Sequence, residues 1–140
     1  MKRFAMLTVL VALLATTPAR AEPVQVRFQW VGNDLTGGVL ASRVRGLIAA
    51  STDKRETTAD LDGLAVIVQT IDPAAEWQDK VAAQKRLTVY SITINRHAAG
   101  SGADVFASTA LGYCALSDLA TCAREIVDAI DEQIGRAGLR

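Results

Sequence analysis

The strongest constraint on the fold lies near the C-terminus. Between Leu119 and Ile134, apolar residues recur at steps of three and four, while charged residues such as Arg124 and Glu125 take the other side. Ser117 precedes this segment as a favourable N-cap, and Gly135 can end it. The pattern predicts an amphipathic helix with one buried face. Such a face must be covered, and we expect the helix to lie on a sheet.

Four earlier segments have the composition of β-strands. Residues 24–30 alternate between apolar and polar side chains, which is typical of a strand with one buried face. Residues 64–71 are almost continuously apolar and β-branched, which indicates a strand covered on both faces or central in its sheet. Residues 87–95 and 105–113 are rich in strand-forming residues. The glycine-rich link between these last two predicts a hairpin with a mobile tip.

The order of the elements predicts the fold class. After the first strand, the apolar period changes to three or four, which predicts a helix running from Thr36 to about Ser51. Residues 55–58 are a candidate short edge strand. The order strand, helix, strand, strand, strand, helix predicts an α+β fold: a two-layer sandwich with two helices on one face of a mainly antiparallel sheet. Residues 72–86 fit a short helix, an extended arm or a mobile loop.

The N-terminus has the features of a secretory signal peptide. Lys2 and Arg3 precede a largely apolar run of 12 residues, and Ala19-Arg20-Ala21 fits a cleavage site. The run is shorter than the roughly 20 residues that cross a bilayer. We therefore expect removal of residues 1–21 and a single domain over residues 22–140, periplasmic or secreted, with no transmembrane segment. An uncleaved signal anchor is the alternative.

The predicted order of elements is similar in outline to small modules of the bacterial envelope, such as the N-terminal domain of TolB. The resemblance is one of architecture and covers most of residues 22–140. It implies a fold that hosts many functions, so the function has to be sought in individual residues.

Removal of the signal peptide changes the net charge of the chain. Without residues 1–21 the chain has 12 basic and 15 acidic residues, a net charge of −3. This charge does not attract phosphate backbones, so we expect no nucleic-acid partner.

Cys114 and Cys122 are the only cysteines, and in an oxidising compartment we expect them to form a disulfide. Their spacing is not the C-x-x-C of redox-active pairs, which favours a structural role.

No sequence motif indicates catalysis. His97, the only histidine, lies beside the glycine-rich hairpin tip, where we expect it to be solvated. It has no second histidine or free cysteine with which to form a metal site. Nucleophile-elbow and phosphate-binding motifs do not occur. Gly37, Gly38 and Gly46 are expected instead to let the first helix approach the sheet. We expect a protein without catalytic activity, cofactor or metal.

A binding function is the remaining expectation. Trp77 stands in a polar segment without an apolar period, and exposed aromatic residues often anchor protein interfaces. With Lys80, Lys85 and Arg86 it forms a candidate site for another envelope protein. The alternative for Trp77 is a lid over the core.

Two further hypotheses concern the partner. A free sheet edge could pair two copies of the chain, so a homodimer is an option. The alternative function is that of a small-ligand carrier, with a cleft between the sheet and the helices.

Overall fold

The computed structural model describes residues 21–139. The predicted signal peptide lies outside the described residues except for Ala21. A single five-stranded sheet has the order β2-β1-β3-β4-β5. Its strands are β1 (Val24–Val31), β2 (Lys54–Glu56), β3 (Gly63–Ile71), β4 (Leu87–His97) and β5 (Asp104–Ala115).

The sheet is mixed. β1 runs parallel to both β2 and β3, while β4 runs antiparallel to β3 and β5. The expectation of a mainly antiparallel sheet therefore fits only loosely, whereas the α+β two-layer sandwich is confirmed. The parallel half arises because a helix crosses over between β1 and β2, and a crossover is what parallel neighbours require.

Two long helices cover one face of the sheet. α1 (Leu35–Ala50) and α4 (Leu119–Ala137) pack against each other and against the strands. Asp34 caps α1 by accepting a hydrogen bond from the backbone N–H of Gly37 at 2.6 Å. α4 ends at Ala137 and is capped by Gly138, three residues beyond the predicted Gly135, in the left-handed conformation that glycine favours. No helix of residues 21–139 is long and apolar enough to cross a membrane.

The core lies between this sheet face and the two helices. The even-numbered residues of β1 and β3 point inward, as the alternation in residues 24–30 predicts. Leu40 of α1, Val66 of β3, and Ile126 and Ile130 of α4 have no exposed surface. Each such side chain stabilises the fold by about 1.5–3 kcal/mol relative to an exposed one. The amphipathic helix predicted from the sequence is therefore confirmed.

The glycines of α1 differ in their surroundings. A Cβ atom at Gly37 would lie 2.2 Å from Oγ1 of Thr70, so this glycine does permit close contact with β3. A Cβ at Gly46 would meet nothing within 4 Å. The expectation that Gly46 allows close packing on the sheet is wrong, because this position is exposed to solvent.

The connection at residues 72–86 forms two short helices, α2 (Pro73–Trp77) and α3 (Lys80–Lys85). Asp72 and Asp79 cap them by accepting hydrogen bonds from backbone N–H groups. The helical option is therefore the one realised.

Neither α1 nor α4 covers the opposite face of the sheet, which we call the open face; the loop before β3 lies against part of it, where Asp60 contacts His97. One row across this face runs from Val31 through Gln69 and Ser91 to Leu111. The most exposed apolar side chains of this face are Leu111 and Tyr113 of β5.

Candidate protein-binding edge

β5 is a long strand with a free edge. It has 12 residues, lies at the end of the sheet and pairs only with β4. Every second backbone N–H and C=O group of such a strand points away from the sheet and lacks a ladder partner. The opposite edge, β2, has only three residues, and all three are charged. Short, charged edges resist pairing with other chains, so β2 is protected whereas β5 is not.

The side chains of β5 make its edge apolar. Four of them are exposed over more than half of their surface: Val105 (64%), Phe106 (63%), Leu111 (82%) and Tyr113 (76%). No charged residue occurs from Val105 to Ala115. Exposed apolar groups in one contiguous stretch mark interaction sites more often than scattered ones do. We call this segment, from Val105 to Ala115, the β5 edge.

A β-bulge interrupts the β5 edge near its start. Ile94 pairs with Ser108 but the next residue, Asn95, pairs with Phe106, so Ala107 is the extra residue. The bulge places Phe106 on the open face, the face that Leu111 and Tyr113 share. On the side facing the helices, the middle of the strand carries the small residues Ser108, Ala110 and Gly112, and the ring of Tyr90 lies across Gly112.

A cleft adjoins the C-terminal end of the β5 edge. It has a volume of about 510 Å³ and separates α3 from the end of β5. Its apolar wall includes Val81, which is 59% exposed, and Leu87. The lining residues are Val81, Gln84, Leu87, Tyr113, Ala115, Ser117 and Asp118.

The residues predicted to bind a partner lie in the two short helices beside this cleft or, in the case of Arg86, directly after the second of them. Trp77 ends α2 and is 63% exposed, so it does not cover the core as a lid. Lys80 begins α3 and is exposed, and Lys85 ends the same helix. Arg86 is exposed and its carbonyl oxygen accepts a hydrogen bond from Thr36. Trp77, Lys80 and Arg86 do not line the cleft, which is built from their neighbours in the chain and from the end of β5.

The disulfide between Cys114 and Cys122 is present. It joins the buried end of β5 to the second turn of α4, with a Cα–Cα distance of 6.2 Å. Cys114 and Cys122 are 1% and 6% exposed, which places the bond in the core. The bond holds the cleft end of the β5 edge against the helix layer.

His97 is not solvated, contrary to the expectation. It is 6% exposed, and its ring lies between two carboxylates: Nδ1 is 2.6 Å from Asp104 and Nε2 is 2.5 Å from Asp60. A guanidinium nitrogen of Arg27 lies 3.1 Å from both ring nitrogens. No local sequence pattern indicates this cluster, because its members are 7 to 70 residues from His97 along the chain.

The same cluster holds the hairpin tip. Asp60 also accepts a hydrogen bond from the backbone N–H of Gly100, and Asp62 accepts one from Ala99. The tip between β4 and β5 is thus bonded to the loop before β3, which argues against the free tip expected from its glycine content. Both ring nitrogens of His97 are therefore engaged within this cluster.

The hydrogen bonds from His97 to Asp104 and Asp60 raise the pKa of the imidazole, against the opposing effects of burial and Arg27. The hydrogen bond from His97 lowers the pKa of Asp60, and the one from the Gly100 backbone adds to this. The folded state holds the histidine proton more tightly than the unfolded state does. The contribution of His97 to the free energy of unfolding is therefore complete below the ordinary histidine pKa of about 6.5. It is lost as the pH rises through the raised folded-state value.

We therefore expect the urea midpoint of unfolding to fall as the pH rises from about 6 to about 9, with a step centred above 6.5. The His97→Gln variant should lack that step, since glutamine does not titrate. Identical pH profiles for the two proteins would contradict the role assigned to His97.

The described residues contain no cluster of three or more His, Cys, Asp or Glu side chains arranged to hold a metal ion. Comparison of the chain with family models, with curated proteins and with solved structures finds no match. The function must therefore be inferred from the geometry of this chain, and its most distinctive feature is the β5 edge.

Proposed function

We propose that this is an exported protein, periplasmic or secreted, that binds another protein of the cell envelope and catalyses no reaction. The observation that carries the proposal is the β5 edge: a 12-residue strand, paired on one side only, whose stretch from Val105 to Ala115 is uncharged and exposes four large apolar side chains. Natural sheets rarely leave such an edge uncovered, because it pairs readily with other chains. A bound partner strand would cover it.

The binding mode that fits is strand addition. An extended segment of the partner would continue the sheet beyond β5, and its backbone would satisfy the outward N–H and C=O groups. Specificity would come from alternate side chains of that segment, which would meet Leu111 and Tyr113 on the open face. The cleft beside Leu87 would receive a larger apolar side chain at the end of the segment.

The residues of α2 and α3 would add a second contact. Trp77 is an exposed aromatic side chain with a large apolar surface, and Lys80 and Arg86 supply positive charge near it along the chain. Interface anchors are often Trp, Tyr and Arg residues of this kind. We propose that these three, with Lys85, contact the partner beyond the paired strand.

Export is supported by two features. The sequence of residues 1–21 has the pattern of a signal peptide, and the disulfide requires an oxidising compartment to persist. The periplasm meets both conditions, as does the extracellular medium.

Site-specific photo-cross-linking in the native envelope tests the proposal. A photoreactive amino acid at Leu111 is expected to capture one dominant protein that resists high salt. The matched control is the same amino acid at Leu35, which is 78% exposed and lies on α1, away from β5. Capture at both positions alike, or at neither, would refute binding through the β5 edge.

A contribution from Trp77 can be separated in the same assay. With the photoreactive group at Leu111, Trp77→Ala is expected to reduce the captured fraction several-fold, because truncation of an aromatic interface residue that costs about 1 kcal/mol of binding free energy weakens binding about fivefold. An unchanged fraction would remove α2 from the binding surface and leave the β5 edge alone.

The alternative of a small-ligand carrier requires a cleft between the sheet and the helices. Leu40, Ile126 and Ile130 fill that layer and have no exposed surface, which favours the protein-binding proposal. Native mass spectrometry of gently purified protein tests the alternative: a mass above that of the bare chain would support a carrier.

A further inference from the structure

We infer that the β5 edge also pairs with the β5 edge of a second copy of this chain, antiparallel about a two-fold axis, to join two five-stranded sheets into one of ten strands. The inference rests on the proposed function, because it uses the same β5 edge. The partner that it names is a second copy of this chain. The free edge of a strand is self-complementary, because an antiparallel copy presents acceptors to its donors and donors to its acceptors.

The side chains of β5 select one register. A two-fold axis perpendicular to the sheet keeps each side chain on its own face, and residues opposite each other must point to the same face. The axis therefore lies midway between one residue of β5 and the same residue of the second copy. With the axis at Ala110, the two Ala110 side chains meet, and Ser108 meets Gly112 of the second copy. All three lie on the helix side, where small side chains allow the strands to approach.

The β-bulge brings the aromatic residues together in that register. Ala107 is the extra residue, so Phe106 follows Ser108 at the next paired position. In the second copy the residue after Gly112 is Tyr113. Phe106 of one chain therefore lies opposite Tyr113 of the other, and both point to the open face. Such aromatic pairs add about 0.5–1.5 kcal/mol beyond their buried area, and the symmetry forms the pair twice.

The cleft provides room for this contact. Tyr113 forms one wall, and Val81 and Leu87 form the apolar side. Phe106 of the second copy would arrive at the mouth of the cleft, where 63% of its surface is otherwise exposed to water. The exposed ring of Phe106 and the cleft beside Tyr113 thus lie three paired positions from Ala110, in opposite directions along β5. A two-fold interface needs this arrangement.

The charges do not oppose the pairing. The strand carries one charged residue, Asp104, and in this register it lies opposite Ala115 of the second copy. Asp118 lines the cleft near that end, but Asp104 is already paired with His97 of its own chain at 2.6 Å. No two like charges face each other along the paired strands.

Charge substitutions at the proposed axis test the register. Ala110 is exposed, so Ala110→Lys and Ala110→Glu are each tolerated in a single chain, but either would place two like charges opposite each other in the pair. Sedimentation equilibrium of the exported protein, from about 1 µM to 1 mM, is expected to show a dimer that each variant weakens at least tenfold. Mixing the two variants should restore the dimer, because unlike charges then meet at the axis.

Ala50→Lys and Ala50→Glu are the matched controls. Ala50 is also an exposed alanine, at the end of α1, and these variants should dimerise like the original protein whether mixed or alone. A monomeric original protein throughout the concentration range would overturn the inference. So would a dimer that the Ala110 substitutions leave unchanged, or variants that do not recombine on mixing.

The outcome is separable from that of the proposed function. A protein that stays monomeric but captures another envelope protein from Leu111 would overturn the pairing of copies and retain the proposed function. A dimer broken and restored by the Ala110 variants, with only its own chain captured from Leu111, would support the pairing and overturn binding to a different protein.

Discussion

Gly63→Ala is expected to lower the free energy of unfolding by about 3 kcal/mol. A Cβ atom at this position would lie 2.1 Å from the backbone carbonyl oxygen of Gln25 and 2.9 Å from its carbon. These are backbone atoms of β1, which pairs with β3 in the middle of the sheet. No side-chain rotation relieves the contact, so the two strands would have to separate.

Gly46→Ala is the matched control for this substitution. It lies inside α1, where an added Cβ meets no atom within 4 Å. Alanine is the better helix former, and we expect the same chemical change to raise the free energy of unfolding by about 0.5–1 kcal/mol. Chemical denaturation measures both. Effects of the same sign, or a loss below about 0.5 kcal/mol for Gly63→Ala, would contradict the close packing of β1 on β3.

Loss of the disulfide is expected to lower the free energy of unfolding by about 2.5 kcal/mol. This figure follows from the chain entropy that a short closed loop removes from the unfolded state. The bond spans eight positions, from Cys114 in β5 to Cys122 in α4. Without it, the cleft end of the β5 edge is held to the helix layer by packing alone.

Two measurements separate the bond from the packing of the sulfur atoms. Reduction of the original protein breaks the bond and keeps both sulfurs, whereas the double variant Cys114→Ala, Cys122→Ala removes both. We expect reduction alone to account for most of the loss. Equal melting temperatures for the oxidised and reduced forms would show that the bond does not contribute to stability.

Much of the fold follows from local sequence patterns. The alternation in residues 24–30 and the apolar period of residues 119–134 predict β1 and α4, because one face of each element is buried in a single core. The ends are less well predicted: α4 continues past Gly135 to Ala137, since an exposed glycine within a helix costs only about 1 kcal/mol. Whether β2 and β3 run parallel to β1 depends on the path of α1 across the sheet. Local sequence patterns do not predict that path.

The candidate site was predictable only in part. The sequence indicates a strand at residues 105–113 and an isolated aromatic residue at Trp77. One signal for the edge was present: Ser108, Ala110 and Gly112 are small, so the middle of the inward side of this strand adds little to the core. A strand that buries little on its inner side is expected at an edge, and its apolar residues must then face outward.

The cluster at His97 could not be predicted. Arg27, Asp60 and Asp104 come from β1, from the loop before β3 and from the start of β5. Only the folded sheet brings them within 3.1 Å of the imidazole. The glycine-rich composition of the hairpin tip indicated mobility. Hydrogen bonds to Asp60 and Asp62, which are distant in the chain, hold the tip in place instead.

The central claim is that the β5 edge is covered by a paired strand when the protein acts. Amide hydrogen exchange tests it most directly, on protein isolated from the envelope with its bound partner and on the dilute chain alone. We predict that alternate amides from Ser108 to Cys114 exchange rapidly in the free chain and become protected in the complex. Equal exchange of these amides in both samples, with protection gained only elsewhere, would contradict the account.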